Sequence, residues 1–241
     1  MIQKTNGIVL HAVKYSETNL IVKIYTLQFG LQSYILNNTR SKKSKNKASF
    51  LQPLALVEIV VSANHKNKLQ RITEITILEP YYDIPFNIHK SAIIIFLNEI
   101  LYKSIKEDHS DINLFEFIKN SLLMLDLNTA NCSNFHIYFM IQLSKYLGFY
   151  PEEKIVIIPT FFDLKEGRFL RQRPFHPHYL TAENSEILCS FINTTYDELH
   201  LIRITKAERK QILQALILYY QLHIQTIGEI KSLDVLEEIA A

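Results

Sequence analysis

The chain has no tryptophan, two cysteines and five glycines among 241 residues. Two lone cysteines, Cys132 and Cys189, cannot staple a chain of this length. A disulfide framework is excluded, and both read as small apolar residues in a reducing cytosol. No two glycines lie close together between a strand and a helix, which excludes a phosphate-cradling loop. His-Glu-x-x-His, paired-cysteine and Gly-x-Ser-x-Gly motifs are missing too. Glu152-Glu153 and Glu237-Glu238 are adjacent pairs that diverge on a helix rather than share a substrate. His176-Pro177-His178 has no carboxylate beside it in sequence. The chain is therefore not expected to be an enzyme. Residues 127–144 and 211–228 lack Asp, Glu, Lys and Arg, but repeated Asn, Gln, Thr and His argue against a membrane span. The N-terminus lacks the basic-then-apolar layout of a signal peptide. A soluble intracellular protein is the expectation.

Against these absences stands an asymmetry of charge. Residues 1–80 hold 11 Lys+Arg and 4 Asp+Glu, net +7; residues 81–241 hold 15 and 20, net −5. An apolar content of 48% supports packed cores, and the length favours two domains with different partners. The basic excess peaks between Asn37 and Phe50. Arg40, Lys42, Lys43, Lys45 and Lys47 fall within eight residues, and no acid occurs from Thr18 to Val57. Ser, Asn and Thr fill the gaps, so neither helical nor strand periodicity survives, and the stretch reads as a loop. Such charge density seeks a polyanion, most simply a nucleic-acid backbone. The bland alternative is a solvated loop.

Around this loop lie five short runs of β-branched and aromatic residues, at 7–13, 19–26, 31–36, 54–61 and 71–78. Gly30 opens a tight turn before the third. Five turn-separated strands suggest an antiparallel barrel of the OB type, with an SH3-like barrel as the competing architecture. Lys14, Lys23, Lys66, Lys68 and Arg71 add cations to it. Tyr15, Tyr25, Tyr34 and Phe50 are interleaved aromatics, and aromatics at alternate strand positions are more often core than platform. Tyr25 is the one candidate for stacking on a base.

Gly7-Ile8-Val9-Leu10, Tyr15-Ser16-Glu17-Thr18-Asn19-Leu20-Ile21-Val22, Tyr25-Thr26-Leu27-Gln28-Phe29-Gly30 and the basic loop leading into Leu51-Gln52-Pro53-Leu54 resemble the start of the bacterial RecO family. The resemblance implies an N-terminal OB domain followed by a helical bundle, often with a zinc-ribbon insertion. It implies binding of single- and double-stranded DNA, annealing of complementary strands, and loading of RecA onto strands coated by the single-strand-binding protein SSB. RecR is a further implied partner, and the bacterial cytoplasm, at the nucleoid, the implied location. Asn38 departs from the glycine expected in the family's loop.

Behind the barrel, Pro80 to Phe86 breaks both periodicities and marks a boundary, giving domains 1–80 and 81–241. Helical stripes follow. Ile93, Phe96, Leu97, Ile100 and Leu101 form one; Leu114, Phe117, Ile118, Leu122 and Leu125 a second; Phe135, Tyr138, Phe139, Leu143, Tyr146 and Leu147 a third, stopped by Gly148 and Pro151. Thr205-x-x-Glu208 opens a long helix as a capping box, and a last helix covers 233–239. The fold class is thus α+β, an OB-type barrel followed by a helical bundle. Between the third and fourth long helices, Asp163 to Gly167 reads as the turn of a hairpin within about 158–175. The resemblance places a four-cysteine zinc ribbon there. This chain has no cysteine in that stretch, so zinc is expected to be absent and a degenerate ribbon kept. Arg168, Arg171 and Arg173 either extend a DNA surface or solvate it.

The SSB tail, acidic with an apolar tip and a free carboxylate, needs greasy walls and a cationic rim. Lys145, Arg203, Lys206, Arg209 and Lys210 on the helical half are the candidates. Two other readings remain open at this point: an RNA-binding module on the same barrel, and an adaptor that does not touch nucleic acid.

Overall fold

The structure, a computed structural model, describes residues 2–37, 50–62, 69–106, 110–129, 132–152 and 160–239. Arg40, Lys42, Lys43, Lys45 and Lys47, and likewise Lys66 and Lys68, lie outside the described residues.

Period-two alternation builds β1 (Ile2–Lys14), β2 (Asn19–Thr26), β3 (Gly30–Asn37), β4 (Leu56–Ser62) and β5 (Gln70–Glu79). They close into a barrel in the order β1-β2-β3-β5-β4. The β3–β5 contact is parallel and every other one antiparallel. A crossover rather than a run of hairpins is the OB arrangement and decides against an SH3-like barrel. β1 is long enough to serve both neighbours: Ile2–Ile8 pairs with β4, Gly7–Lys14 with β2, and a bulge between Val9 and His11 bends it. A Cβ on Gly7 would collide with Ile24, so β1 and β2 meet here only because this residue has no side chain. Val9, Val22, Ile24, Leu36, Val57 and Ile59 fill the interior.

Helices follow: α1 (Ile88–Ser104), α2 (Ile112–Leu127) and α3 (Phe135–Tyr146). Next comes a small sheet of β6 (Phe161–Asp163), β7 (Arg168–Leu170) and β8 (Tyr179–Leu180), then α4 (Ala182–Ile192), α5 (Lys206–His223) and α6 (Ser232–Ile239). Phe115, rather than Phe117, joins the buried stripe of α2. The capping box of α5 forms as expected, with Thr205 accepting from the Glu208 N–H and Glu208 accepting from the Thr205 N–H. No helix among the described residues is long and apolar enough to cross a membrane.

Compactness groups the chain into two units: Met1–Asn87 with Leu97–Asp126, and Ile88–Phe96 with Leu127–Ala241. The barrel ends at Glu79, beside the boundary expected near residue 80, yet its unit also takes in the end of α1 and all but the last residue of α2. Specific bonds explain why. Asn98 Nδ2 donates to the Leu10 carbonyl at 3.0 Å. The buried Asp126 carboxylate accepts from the backbone N–H groups of Tyr82, Asp83 and Ile84 at 2.8–3.0 Å, fixing the turn that leaves the barrel. Three charge-assisted bonds to one carboxylate satisfy donors that would otherwise be stranded.

Candidate nucleic-acid interface and helical pocket

One row of ladder partners crosses the barrel: Val13 faces Ile21, Ile21 faces Ile35, Ile35 faces Arg71, and Arg71 faces Ser62. Its members are exposed or half-buried, so the row points outward. All three polar connections attach beside it. The β1–β2 turn begins two residues past Val13, segment 38–49 begins after Asn37, and segment 63–68 begins directly after Ser62. In sequence Arg40, Lys66 and Lys68 come within five residues of a member of this band, and Lys42, Lys43, Lys45 and Lys47 follow seven to twelve residues after Ile35. Arg71 sits on that band itself and is exposed; Lys14, next to Val13, is exposed at the end of β1 but pairs with Leu20 in the adjacent row, which runs inward through Leu36 and Ile72.

The next outward row is closed off. Tyr102 of α1 lies against His11 at 4.9 Å, and the Lys23 ammonium sits over the same ring at 5.4 Å. Tyr25 is fully buried, packs on Phe115 and donates its hydroxyl to the Asp111 carbonyl at 3.2 Å. Burial pushes that hydroxyl's pKa up to about 12. Tyr25 is therefore not a stacking platform. Alternation puts it on the outer face, but Tyr102 of α1 and Asp111 and Phe115 at the start of α2 lie over that side of the barrel. Lys23 is engaged with the same cover. The accessible aromatic of the barrel is Tyr15 in the β1–β2 turn, 65% exposed. Its place just past the end of the alternating run was the signal that could have singled it out.

In the helical unit the expected tail-binding cations separate. Lys206, Arg209 and Lys210 line one pocket of about 150 Å³ whose apolar walls are Leu213 and Leu236. Lys210 pairs with Glu237 of α6 at 2.7 Å. Arg209 is committed to the fold: its Nε donates to Asn134 Oδ1 at 3.0 Å, and the Asn134 amide in turn donates to the Ile202 carbonyl. His136 borders the same pocket, 2% exposed, and neither ring nitrogen has a hydrogen-bond partner. Arg203 instead faces a separate open groove of about 680 Å³ lined by Glu183, Glu186, Glu198 and Glu208, a poor place for an acidic peptide. Lys145 lies over Tyr150 at 5.8 Å. Leu213 was legible as the residue four beyond Arg209 on one helix face; Leu236 and Glu237 come from a different helix.

The hairpin forms where expected. Asp163 Oδ1 accepts from the Lys165 and Glu166 N–H groups, and Gly167 takes the left-handed conformation at φ 68°. His176, which sequence left without a carboxylate, meets Asp163 Oδ2 through Nε2 at 3.1 Å. Its Nδ1 accepts from the His178 N–H. Both Asp163 oxygens are thus engaged, by the turn and by His176, and Asp163, His176 and His178 without thiolates do not fit a structural zinc site. Among the described residues no group of three or more His, Cys, Asp and Glu could hold a metal. Beyond β7 the chain carries Arg171 and Arg173, both exposed, and a fully exposed Phe175.

Comparison with known proteins adds to this geometry. Residues 1–81 match the family model described as recombination protein O N terminal, and residues 85–155 match recombination protein O C terminal. The chain is similar to the DNA repair protein RecO of Bacteroides fragilis, 37% identical over 240 residues, covering 99% of each chain. It is also similar to the DNA repair protein RecO of Flavobacterium psychrophilum, 39% identical over 240 residues and 98% of each, and to that of Phocaeicola vulgatus, 35% identical over 239 residues and 99% of each.

Proposed function

Because the chain belongs to the RecO family of DNA repair proteins, we propose that it binds single- and double-stranded DNA along the outward ladder row of the barrel, anneals complementary strands, and helps load RecA onto SSB-coated single strands. The observation that carries the DNA site is the attachment of three polar connections, two of them strongly basic, to the Val13–Ser62 row. Half-buried Ile21 and Ile35 give that row an apolar floor, exposed Arg71 lies within it, Lys14 adds a cation beside its Val13 end, and Tyr15 offers a face to an unpaired base. The SSB tail is assigned to the pocket between α5 and α6, where Leu213 and Leu236 receive its apolar tip and Lys206 and Lys210 its charge. RecR is a partner in this reading, the bacterial cytoplasm its location, and no catalytic step or metal is part of it.

The test is the salt dependence of binding. Replacing Lys42, Lys43, Lys45 and Lys47 by Ala, with Arg71→Ala as a second variant, should flatten the slope of log affinity against log salt. Each lost phosphate contact on a single strand lowers it by about 0.7. Base preference should stay the same, because backbone contacts carry no sequence information. An unchanged slope in the quadruple variant would remove DNA from this row. Competition by an RNA strand of the same sequence separates DNA binding from a general single-strand preference.

A further inference from the structure

The helical unit is acidic overall, but two stretches are basic: residues 203–210, at the start of α5, and residues 164–178. Residues 164–178 hold Lys165, Arg168, Arg171 and Arg173 against the single acid Glu166, net +3. The rest of residues 81–241 then carries 15 − 4 = 11 cations and 20 − 1 = 19 acids, net −8. At the tip of this basic projection stands Phe175, fully exposed, with Arg173 two residues before it and Arg171 two before that.

The tip is also held still. Asp163 and His176 are joined at 3.1 Å, the His178 N–H closes on His176 Nδ1, and Leu164 N–H donates to the His178 carbonyl. Pro174 and Pro177 restrict the backbone on either side of Phe175–His176. The Arg173 guanidinium lies over the Tyr179 ring at 5.2 Å, which fixes the direction of the side chain. Among the described residues, the ion pair these cations make is that of Arg168 with Glu166, at 3.7 Å with both side chains more than half exposed, so it neutralises little.

A rigid backbone that holds an aromatic ring wholly in water, beside exposed guanidinium groups, is preorganised for a ligand with both flat apolar faces and regularly spaced negative charge. Single-stranded nucleic acid has both. A bilayer needs more apolar surface than one ring supplies. We propose that the Arg171–Phe175 tip is a second nucleic-acid site, in which Phe175 stacks on an unpaired base while Arg171 and Arg173 take the flanking phosphates. It goes beyond the barrel reading and stands without it. A chain with one strand at the barrel row and another at this tip holds two strands at once.

The test uses the full chain, a dye-labelled oligothymidylate, a duplex of equal length and vesicles of anionic lipid. Phe175→Ala is made in the wild-type background and in the Lys42/Lys43/Lys45/Lys47→Ala background, where the barrel contributes least. In the second background it should weaken single-strand binding about tenfold, the order expected for one stacked base. Duplex binding should be unaltered, since paired bases offer no free face. Phe175→Trp should restore the loss, and Arg171→Ala with Arg173→Ala should weaken single strands and duplex alike. Single-strand affinity within twofold of the parent in both backgrounds would overturn the proposal, as would an effect of Phe175→Ala confined to vesicles. Undiminished binding in the quadruple lysine variant, with loss on Phe175→Ala, would refute the barrel reading and leave this one standing.

Discussion

Replacing His136 by phenylalanine should remove a large part of the protein's sensitivity to mild acid. His136 lies on α3, packs edge-on against Phe96 at 6.0 Å, and has no hydrogen-bond partner on either ring nitrogen. Burial first, and the Arg209 cation second, hold its pKa down to about 3 against an ordinary 6.5. The unfolded chain takes up a proton below pH 6.5, whereas the folded chain does not until about pH 3. Stability from this residue is therefore complete above pH 6.5 and falls as pH drops through that window. At about 1.4 kcal/mol per pH unit, the loss between pH 7 and pH 5 is roughly 2 kcal/mol. Phenylalanine cannot take up that proton, and at pH 7 it replaces unpaired nitrogens with carbon, so stability there should change by no more than about 1 kcal/mol. Urea unfolding followed by circular dichroism, at pH 5 and pH 7 for both proteins, reads the difference of differences. Carboxylates that titrate in this range cancel between the two. If wild type and variant lose the same stability on acidification, His136 is not buried and neutral as described.

Two further outcomes are expected. The purified protein should contain no stoichiometric zinc, and a chelator should leave its melting temperature unmoved, because the hairpin is closed by Asp163 and His176; about one zinc per chain by elemental analysis would contradict this. For the helical pocket, Lys206→Glu should weaken binding of an SSB tail peptide several-fold with little effect on naked DNA, whereas Glu237→Gln, which frees Lys210 from its 2.7 Å partner, should strengthen it. Unchanged peptide affinity in both variants, measured by fluorescence titration, would take the tail elsewhere.

The barrel was legible in the sequence because each strand shows one apolar face, and a two-residue period survives in short runs. That pattern states which residues share a face, not what lies on it. Tyr25 was singled out as a stacking platform and given the wrong environment, since its partner Asp111 is 86 residues away. The same limit hid Asp163 from His176 and Glu237 from Lys210. Lys206, Arg209 and Lys210 could be grouped from helical spacing, but nothing local distinguishes Arg209, which holds Asn134, from exposed Lys206 or from Lys210, which pairs with Glu237. α4 was not anticipated: its buried Leu188, Phe191 and Ile192 do keep helical spacing, but the stripe is short and its cap, Thr181 accepting from Asn184, lacks the acidic third residue of a capping box.

The cover laid over Leu10, Lys23 and Tyr25 also has a consequence in time. During synthesis β5 is complete at Glu79, but the last residue of its unit is Asp126, 126 − 79 = 47 residues later. At about 5–20 residues per second, the ribosome leaves the barrel's apolar outer side bare for roughly 2–10 s on every molecule made. A chain stalled or truncated between those points would present a closed barrel with an exposed greasy flank and the full basic charge of its first eighty residues. Such fragments should stick to chaperones and to nucleic acid alike, and for that reason a barrel expressed to residue 80 should behave worse than one extended through residue 126.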